Sequence, residues 1–249
     1  MKALFRAELL KQRTTRTMLQ LPLWMVGLVV LVVLLHVVGF SVHDLGSRDY
    51  QLKVFGWGTG VGSLFAALLG ALSITGEIRH GTIRPTFLAT PRRERVIAAK
   101  VAASAFGGLA LGLLAEALAA AVSSAGLAVR GVHVALSGGD FVQLLAGGAV
   151  GAALWAAIGT GIGAVVRNQV GAVVGLCVWL LVIETSLIGS VSSVAKFAPG
   201  ASAGALAGAI QAQGATNLLA PALGALLLVV YASLATAAGS IAITRRDVT

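Results

Sequence analysis

The sequence predicts an all-helical integral membrane protein with six transmembrane helices, and three observations support that prediction. Charged residues make up only 11% of the 249 residues, and the mean hydropathy is +0.93. A water-soluble chain of this size could not bury so much apolar surface. The apolar residues also form long runs, and a helix that crosses a bilayer needs about 20 such residues. These runs lack the period-two alternation of a β-barrel strand.

One transmembrane domain is predicted to cover residues 1–249. Residues 1–18 mix basic residues with Leu and Phe, which is typical of an amphipathic cytoplasmic helix at the membrane surface. A plain juxtamembrane anchor is the alternative for that segment. The apolar runs place the spans at about residues 20–41, 54–76, 101–126, 143–166, 170–191 and 219–243.

Lys and Arg are unequally divided between the two sides of such a bundle. The N-terminal segment and the joints after spans 2, 4 and 6 carry fourteen of them, against four (Arg48, Lys53, Arg130 and Lys196) on the other side. Positive charge stays on the cytoplasmic side, so both termini are predicted to be cytoplasmic. The net charge of +9 then reflects topology and contact with anionic membrane lipids, and we expect no nucleic-acid partner. The Ala-, Gly- and Arg-rich composition favours a multi-pass protein of a bacterial cytoplasmic membrane.

Glycine is abundant, with 32 residues, and often recurs four positions apart. Small residues at this spacing let helix backbones approach closely in lipid. We therefore expect tight helix packing, with chance pairing in a Gly-rich chain as the alternative. The pairs are Gly58/Gly62, Gly108/Gly112, Gly147/Gly151, Gly159/Gly163 and Gly171/Gly175.

Sequence motifs for catalysis or for a bound cofactor are missing. The chain contains no Gly-Lys pair and therefore no P-loop. Cys177 is the single cysteine and the four histidines are scattered, so no metal site is predicted. Residues 200–204 match the pattern G-x-S-x-G, but the strand and the His–Asp pair that a nucleophilic Ser202 would need are missing. We expect this chain to have no catalytic residue and to bind no cofactor or metal.

The joint between spans 2 and 3 is the most specific part of the sequence. Thr82 can cap a short helix that runs to about Leu88, with Pro85 in its first turn. Thr90 can start a second helix that continues into span 3. Phe87 and Leu88 would form an apolar knob in basic surroundings, which suggests a docking surface for another protein. A surface helix whose apolar side lies in the lipid head groups is the alternative.

This joint resembles the first intracellular loop of permeases of the type 2 class of ATP-binding-cassette (ABC) exporters. In that family an acidic residue ends span 2, a Gly-Thr turn leads into a coupling helix, and a Pro–basic stretch opens span 3. The matching residues here are Glu77, Gly81-Thr82, Pro91-Arg92-Arg93 and Lys100. The overall layout, including the terminal Arg245-Arg246-Asp247-Val248, agrees along the whole chain, whereas the motif covers about 25 residues.

The resemblance implies a half-transporter. Two copies, or this chain and a similar one, would form the substrate pathway, and a separate ATPase subunit holding ATP and Mg would dock beneath each. The outer segment 192–218 would correspond to the re-entrant or external element before span 6. The residues implied in coupling to the ATPase are Glu77, Gly81, Thr82, Ile83, Arg84, Phe87, Leu88, Arg92 and Arg93.

Other functional classes stay open at this point. A stand-alone secondary transporter would show inverted repeats, and no convincing repeat relates residues 1–126 to residues 127–249. A structural or sensory membrane subunit is a further alternative.

Three ionisable residues lie within the predicted spans: His36, Glu116 and Glu184. Each is about fifteen positions from the inner end of its span, or about 22 Å along the helix axis, so the three could share one level. Such groups are costly in lipid and usually face a cavity or a partner. They are candidates for a polar site that contacts a cationic or amphipathic substrate. Local pairing within the fold is the alternative, favoured for His36, and Glu77 is expected to pair with basic residues of the joint.

The charge distribution predicts which positions are accessible from outside the cell. In a Cys177→Ala background, a membrane-impermeant maleimide should label Ser47→Cys or Ser137→Cys in intact cells, and should label Thr90→Cys only after lysis. Labelling of Thr90→Cys in intact cells would contradict the predicted topology.

Overall fold

The computed structural model of the protein describes residues 1–90, 92–209 and 219–245. Regular secondary structure in these ranges is entirely helical. Six helical segments are long and apolar enough to cross a membrane. The prediction of an all-helical, multi-pass fold is therefore confirmed, and the roles of its shorter helices remain predictions.

The helices follow one another with short connections. Those of the first half are α1 (Lys2–Thr14), α2 (Arg16–Gly39), α3 (Val42–Leu45), α4 (Arg48–Phe55), α5 (Trp57–Arg79), α6 (Ile83–Ala89) and α7 (Arg93–Val129). Those of the second half are α8 (Gly138–Val166), α9 (Gln169–Val178), α10 (Glu184–Ser190), α11 (Ser192–Ala195), α12 (Pro199–Ala207) and α13 (Pro221–Arg245).

The candidate spans agree with the predicted ranges within about six residues, except that the third begins about eight residues earlier than predicted. That span begins at Arg93 because no proline or glycine interrupts the helix between Arg93 and Val101. The first span begins at Arg16, since Thr15 is extended (φ −81°, ψ 124°) and separates α1 from α2.

The sequence predicts one regular helix for the fifth span, residues 170–191. The structure differs, because the helix is irregular at its centre. Five residues, Trp179–Ile183, form a π-helical segment between α9 and α10. The side-chain hydroxyl of Thr185 donates a hydrogen bond to the carbonyl of Leu181 at 2.5 Å. Such π segments accommodate an extra residue within an α-helix. The side chains after this point are therefore rotated about the helix axis relative to those of an uninterrupted helix.

The core of the bundle is built around α5. Within the apolar window of the span that contains α5, 89% of the residues are buried, compared with 22% for the span formed by α9 and α10 and 22% for α13. α5 packs against α2, α7, α8 and α9. The outer helices expose apolar faces, which suits contact with lipid.

Glycine allows the closest helix contact, between α5 and α8. A Cβ atom at Gly70 would lie 2.0 Å from the carbonyl oxygen of Ala156, and one at Gly159 would lie 2.0 Å from that of Ala67. Neither position has room for a side chain, so the two backbones touch directly. In lipid this direct van der Waals packing is the main source of helix association.

The predicted glycine pairs mostly lie at such contacts. Seven of the eight glycines in the first four pairs face a neighbouring helix at distances that leave little or no room for a side chain. Gly151 has room, since a Cβ atom there would lie 3.5 Å from that of Ala203. The last pair also has room: a Cβ atom at Gly175 would meet no other atom within 4 Å, and Gly171 faces only nearby residues. Tight packing is thus the better interpretation for most of the pairs.

The outer segment before the last span is folded into the bundle over its described part. α12 has buried alanine, serine and glycine residues and packs on α5, α8 and α13. A Cβ atom at Gly147 of α8 would lie 2.5 Å from the Cα atom of Ala207. The Ala- and Gly-rich composition of this segment therefore serves close packing. Residues 210–218 lie outside the described residues.

The two ends of the bundle differ in charge. One end, called the basic end below, contains α1, α6 and the C-terminal end of α13, and Arg93 there donates a hydrogen bond to the carbonyl of Ile243 at 3.0 Å. At the opposite end Arg48 pairs with Asp140 at 2.6 Å. Two parts of the predicted motif, Pro91 and residues 246–248, lie outside the described residues.

The contact between α5 and α8 predicts a large effect of one methyl group. Gly159→Ala should lower the free energy of unfolding by about 1–3 kcal/mol or more, because the added Cβ atom forces the two backbones apart. Gly175→Ala is the matched control, since its Cβ atom meets no other atom within 4 Å. Thermal unfolding of the purified protein in detergent measures both. Equal stability of the two variants would contradict this packing.

Candidate functional site

α6 lies in the joint that the sequence marks as most specific. α5 ends in a turn in which Gly81 has a positive φ of 69°. The N–H of Thr82 bonds the carbonyl of Glu77 at 3.0 Å, and the N–H of Gly81 bonds that of Ile78 at 3.2 Å. These two bonds form the Schellman motif that commonly terminates a helix. The Gly-Thr pair thus completes the turn that ends α5 at Arg79, and three residues lie between that end and the start of α6 at Ile83.

Two details of the predicted joint are wrong. The side chain of Thr82 precedes α6 but makes no capping hydrogen bond to it, because its hydroxyl points back to the carbonyl of Glu77 at 3.5 Å. α7 begins at Arg93, with Arg92 as its first flanking residue. Thr90 therefore follows the end of α6 instead of starting the next helix. The short helix α6 does precede a helix that runs into span 3, and its role in coupling stays a prediction.

The predicted apolar knob is divided between two environments. Phe87 is half-buried and packs against a small core of Ile74, Ile83 and Ile97. The guanidinium carbon of Arg93 lies 5.4 Å from the centre of the Phe87 ring. Leu88, by contrast, is 83% exposed. Phe87 and the buried Ile83 therefore hold α6 on the bundle, and Leu88 is the residue of the predicted knob that projects from it.

Exposed basic residues lie close to Leu88 in the sequence of the joint. Arg84 and Arg92 are exposed, and Arg93 is half-buried against Phe87 and the end of α13. A partner that covers Leu88 would therefore meet a positively charged surface.

Glu77 belongs to a compact group of four charged side chains at the basic end. We call Glu8, Lys11, Glu77 and Lys100 the charge cluster. The Nζ atoms of Lys11 and Lys100 each lie 2.7 Å from Oε1 of Glu77. The same two ammonium groups lie 2.7 and 2.8 Å from Glu8. Acidic and basic groups thus alternate around a closed ring that joins α1, α5 and α7.

Most of the charge cluster is removed from solvent. The side chains of Lys100, Glu8 and Glu77 are 1%, 6% and 11% exposed, whereas that of Lys11 is 43% exposed. Partial burial alone would lower the pKa of Lys11, but its hydrogen bonds to Glu77 and Glu8 raise that pKa above its ordinary value of 10.5. The ion pairs of Lys11 therefore stabilise the fold up to about that pH and are lost only as the pH rises through the higher folded-state pKa.

Glu116 lies in a narrow space between three helices. It is 2% exposed on α7, and its carboxylate accepts a hydrogen bond from the hydroxyl of Thr59 on α5. A Cβ atom at Gly58 or at Gly148 would come within 2.6 Å of its side chain. Two glycines thus make the room that Glu116 fills, and this geometry favours its packing alternative.

Glu184 has a different environment. It is also 2% exposed, and its Oε1 atom accepts a hydrogen bond from the backbone N–H of Ala201 at 2.7 Å. Its Oε2 atom is buried and has no hydrogen-bond partner among the described residues. Glu184 borders a cavity, which Glu116 does not.

His36 is half-buried and bonds within its own helix. Its Nδ1 atom is 2.8 Å from the carbonyl oxygen of Val32, and its ring centre lies 4.8 Å from that of Trp57. This pairing is the local alternative that the sequence favours for this residue.

The cavity that Glu184 borders has a volume of about 360 Å³. It lies between α2, the first turns of α5, the fifth span and α12, and most of its wall is aliphatic. Glu116 and His36 do not line it, but each contacts a residue that does, Thr59 and Trp57 respectively. The polar side chains of the lining are Lys53, Trp57, Thr59, Ser63, Glu184 and Thr185.

Comparisons with known proteins do not assign the chain to a family: no protein-family model and no curated protein matches it. A function has to follow from the chemistry of its own residues.

Several of these residues were not predicted as site residues. Glu8 is the first acidic residue of the chain, and the next is Asp44. A single acid within a basic helix is therefore the sequence feature that could have indicated a buried ion pair. Ser63 and Thr59 carry no comparable signal, because hydroxyl side chains are common within transmembrane helices.

Loss of one cation from the charge cluster should destabilise the protein. Lys100→Met leaves two buried glutamates with one partially exposed lysine, and breaking a buried pair in this way typically costs about 3–5 kcal/mol. The double variant Glu8→Gln/Lys100→Met should be less destabilised than the single variant, because a neutral Glu77–Lys11 pair remains. Thermal unfolding in detergent gives both values.

The exposed pair of Arg48 and Asp140 provides the control for this experiment. Arg48→Ala should change stability little, since exposed ion pairs contribute little. If Lys100→Met were as stable as the unmodified protein, the charge cluster would not be a structural link between α1, α5 and α7.

Proposed function

We propose that this chain is the transmembrane subunit of an ATP-driven exporter of the ABC type. It would pair with a second copy, or with a similar chain, to form the substrate pathway. A separate ATPase subunit, which binds ATP and Mg, would dock at the basic end. In this proposal the basic end faces the cytoplasm of a bacterium, in agreement with the positive-inside rule.

The observation that carries the proposal is the geometry of α6. A helix of seven residues is held against the bundle by buried Ile83 and half-buried Phe87, yet it presents Leu88 with 83% exposure. An apolar side chain that projects from an anchored helix suits insertion into a groove of another protein. The exposed Arg84 and Arg92 would favour a groove with an acidic rim.

Movement of α6 would be transmitted to several helices at once. Three residues connect α5 to α6, and three connect α6 to α7. The charge cluster links α5 and α7 to α1. A displacement of α6 by a partner would therefore change the positions of three helix ends together. ATP can drive such a change only if it binds one of the two states more tightly than the other.

α5 also connects the docking end to the cavity. Thr59 lines the cavity near one end of α5, and Glu77 lies in the charge cluster near the other. Eighteen residues separate them, or about 27 Å along the helix axis. A shift of α5 at the basic end would alter the cavity wall directly, as transport coupled to a distant ATPase requires.

Replacement of the exposed leucine should weaken docking of the ATPase. Leu88→Ala is expected to lower the affinity for the ATPase by about thirtyfold, since truncation of a central interface residue costs about 2 kcal/mol or more. Membrane insertion should be unaffected, because the spans keep their apolar length. The measurement is co-purification with a soluble P-loop ATPase whose gene is adjacent to the gene for this chain, together with the ATPase rate of the complex.

Two further variants separate docking from folding. Val129→Ala changes a residue that is 88% exposed at the opposite end, and it should leave co-purification unchanged. Phe87→Ala should loosen α6 and also lower thermal stability, which Leu88→Ala should not. Normal co-purification and ATPase rate with Leu88→Ala would remove α6 as the coupling element. Transport by the chain in liposomes without any ATPase would instead favour a secondary transporter.

A further inference from the structure

The cavity beside α5 is a cleft between helices. α5 forms its floor, and α2 and the fifth span form walls. α2 packs on α5, and the fifth span packs on α5 through α9, whereas the residues of the fifth span that line the cavity lie in the π-helical segment and α10. α2 and the fifth span make few contacts with each other within the described ranges. Its volume of about 360 Å³ is at the lower end of the range for small-molecule sites, about 300–1,000 Å³.

The floor of the cleft has space that helix packing does not use. Gly60 and Leu64 are four residues apart on one face of α5, with Ser63 beside them. Gly60 is exposed, and a Cβ atom there would meet no other atom within 4 Å. In this respect Gly60 differs from Gly70, where the neighbouring backbone fills the space. The floor can therefore receive the apolar body of a ligand.

Three polar atoms of the cleft are buried without a hydrogen-bond partner. Of seven such side-chain atoms in the described part of the chain, Trp57 Nε1, Ser63 Oγ and Glu184 Oε2 all belong to lining residues of this one cavity. Ser63 and Glu184 are only 3% and 2% exposed. Burial of an unpaired polar group costs free energy, and native structures contain few of them. Two of these atoms, Ser63 Oγ and Glu184 Oε2, can accept a hydrogen bond, so residues of this aliphatic cleft hold two unpaired acceptors for the polar end of a ligand.

We propose that the cleft binds a small amphipathic amine. Its ammonium group donates hydrogen bonds to Glu184 Oε2 and Ser63 Oγ, and the indole ring of Trp57 offers a cation–π surface to the same charge. The apolar body lies over Gly60 between α2 and the fifth span. The inference rests on the proposed function, because it names the substrate class of the same pathway.

The carboxylate of Glu184 favours an amine at its own end of the cleft. Among the described lining residues, Glu184 is the one acidic side chain and Lys53 the one basic side chain. An ammonium group bound at Glu184 would be matched by that carboxylate, and an anion bound there would be repelled. Lys53, which also lines the cavity and lies 4.6 Å from the centre of the Tyr50 ring, disfavours a ligand with several positive charges. A sugar would require more polar partners than this aliphatic wall provides.

Three probes of similar size test the role of each chemical group. They are 4-phenylbutylamine, its neutral alcohol 4-phenylbutanol, and the trimethylammonium analogue, which keeps the charge but has no N–H donor. Binding to the purified protein in lipid nanodiscs is measured by calorimetry, with empty nanodiscs subtracted to remove partition into lipid. The amine should bind about ten- to a hundredfold more tightly than the alcohol, since hydrogen bonds to charged groups are the strong ones. The analogue should bind with intermediate affinity.

Matched variants locate the site. Glu184→Gln keeps an acceptor for the N–H of Ala201 and should lower the amine affinity by about ten- to a hundredfold. Glu116→Gln changes an equally buried glutamate outside the cavity and should leave the affinity unchanged. Ser63→Ala removes one hydroxyl and should lower it by a smaller factor. If Glu184→Gln did not fold, Ser63→Ala and the probe series with the unmodified protein would decide.

The outcomes separate this inference from the proposed function. Equal affinity for amine and alcohol, or an effect of Glu116→Gln as large as that of Glu184→Gln, overturns the amine site. Export of another substrate with the ATPase, unaffected by Glu184→Gln, overturns the site and leaves the exporter. Amine binding that depends on Glu184, in a protein with no ATPase partner and no transport, supports the site and overturns the exporter.

Discussion

The direct contact between the backbones of α5 and α8 is the constraint on which the other features depend. Gly70 and Gly159 bring the two helices to a separation that excludes any side chain, and this places α5 at the centre of the bundle. A central helix contacts neighbours on several sides, so one face can hold the charge cluster while another forms the floor of the cavity. Lipid supplies no hydrophobic drive between spans, and small residues are therefore the means by which the bundle holds together.

The sequence predicted the large elements of the fold because they depend on local composition. Long apolar runs and the positions of Lys and Arg were sufficient for the spans, and the Gly-Thr pair was sufficient to end α5 before α6. The π-helical segment at Trp179–Ile183 and the burial of α12 were missed. Both depend on which helix lies alongside, and no pattern within one segment carries that information.

The candidate site shows the same limit at the level of single residues. Glu116 and Glu184 look alike in the sequence, each a lone acid within an apolar span. Glycine makes room for both, since Gly58 and Gly148 lie against the first and Gly200 against the second. The difference is that Glu116 bonds to Thr59 between three helices, whereas Glu184 borders the cavity. The ring formed by Glu8 and Lys100 likewise joins residues 92 positions apart, and such pairs become visible only when the helices are placed together.

The π-helical segment gives the fifth span an unusual sensitivity to the length of the chain. An α-helix advances about 100° per residue, and a π segment holds one residue more than the regular helix would. Deleting a single residue between Trp179 and Ile183 would restore a continuous α-helix and rotate Glu184 by roughly that angle, away from its hydrogen bond with Ala201 on α12. The orientation of this carboxylate thus depends on the number of residues in the π-helical segment. Homologues with an uninterrupted fifth helix would present a different residue to the cleft.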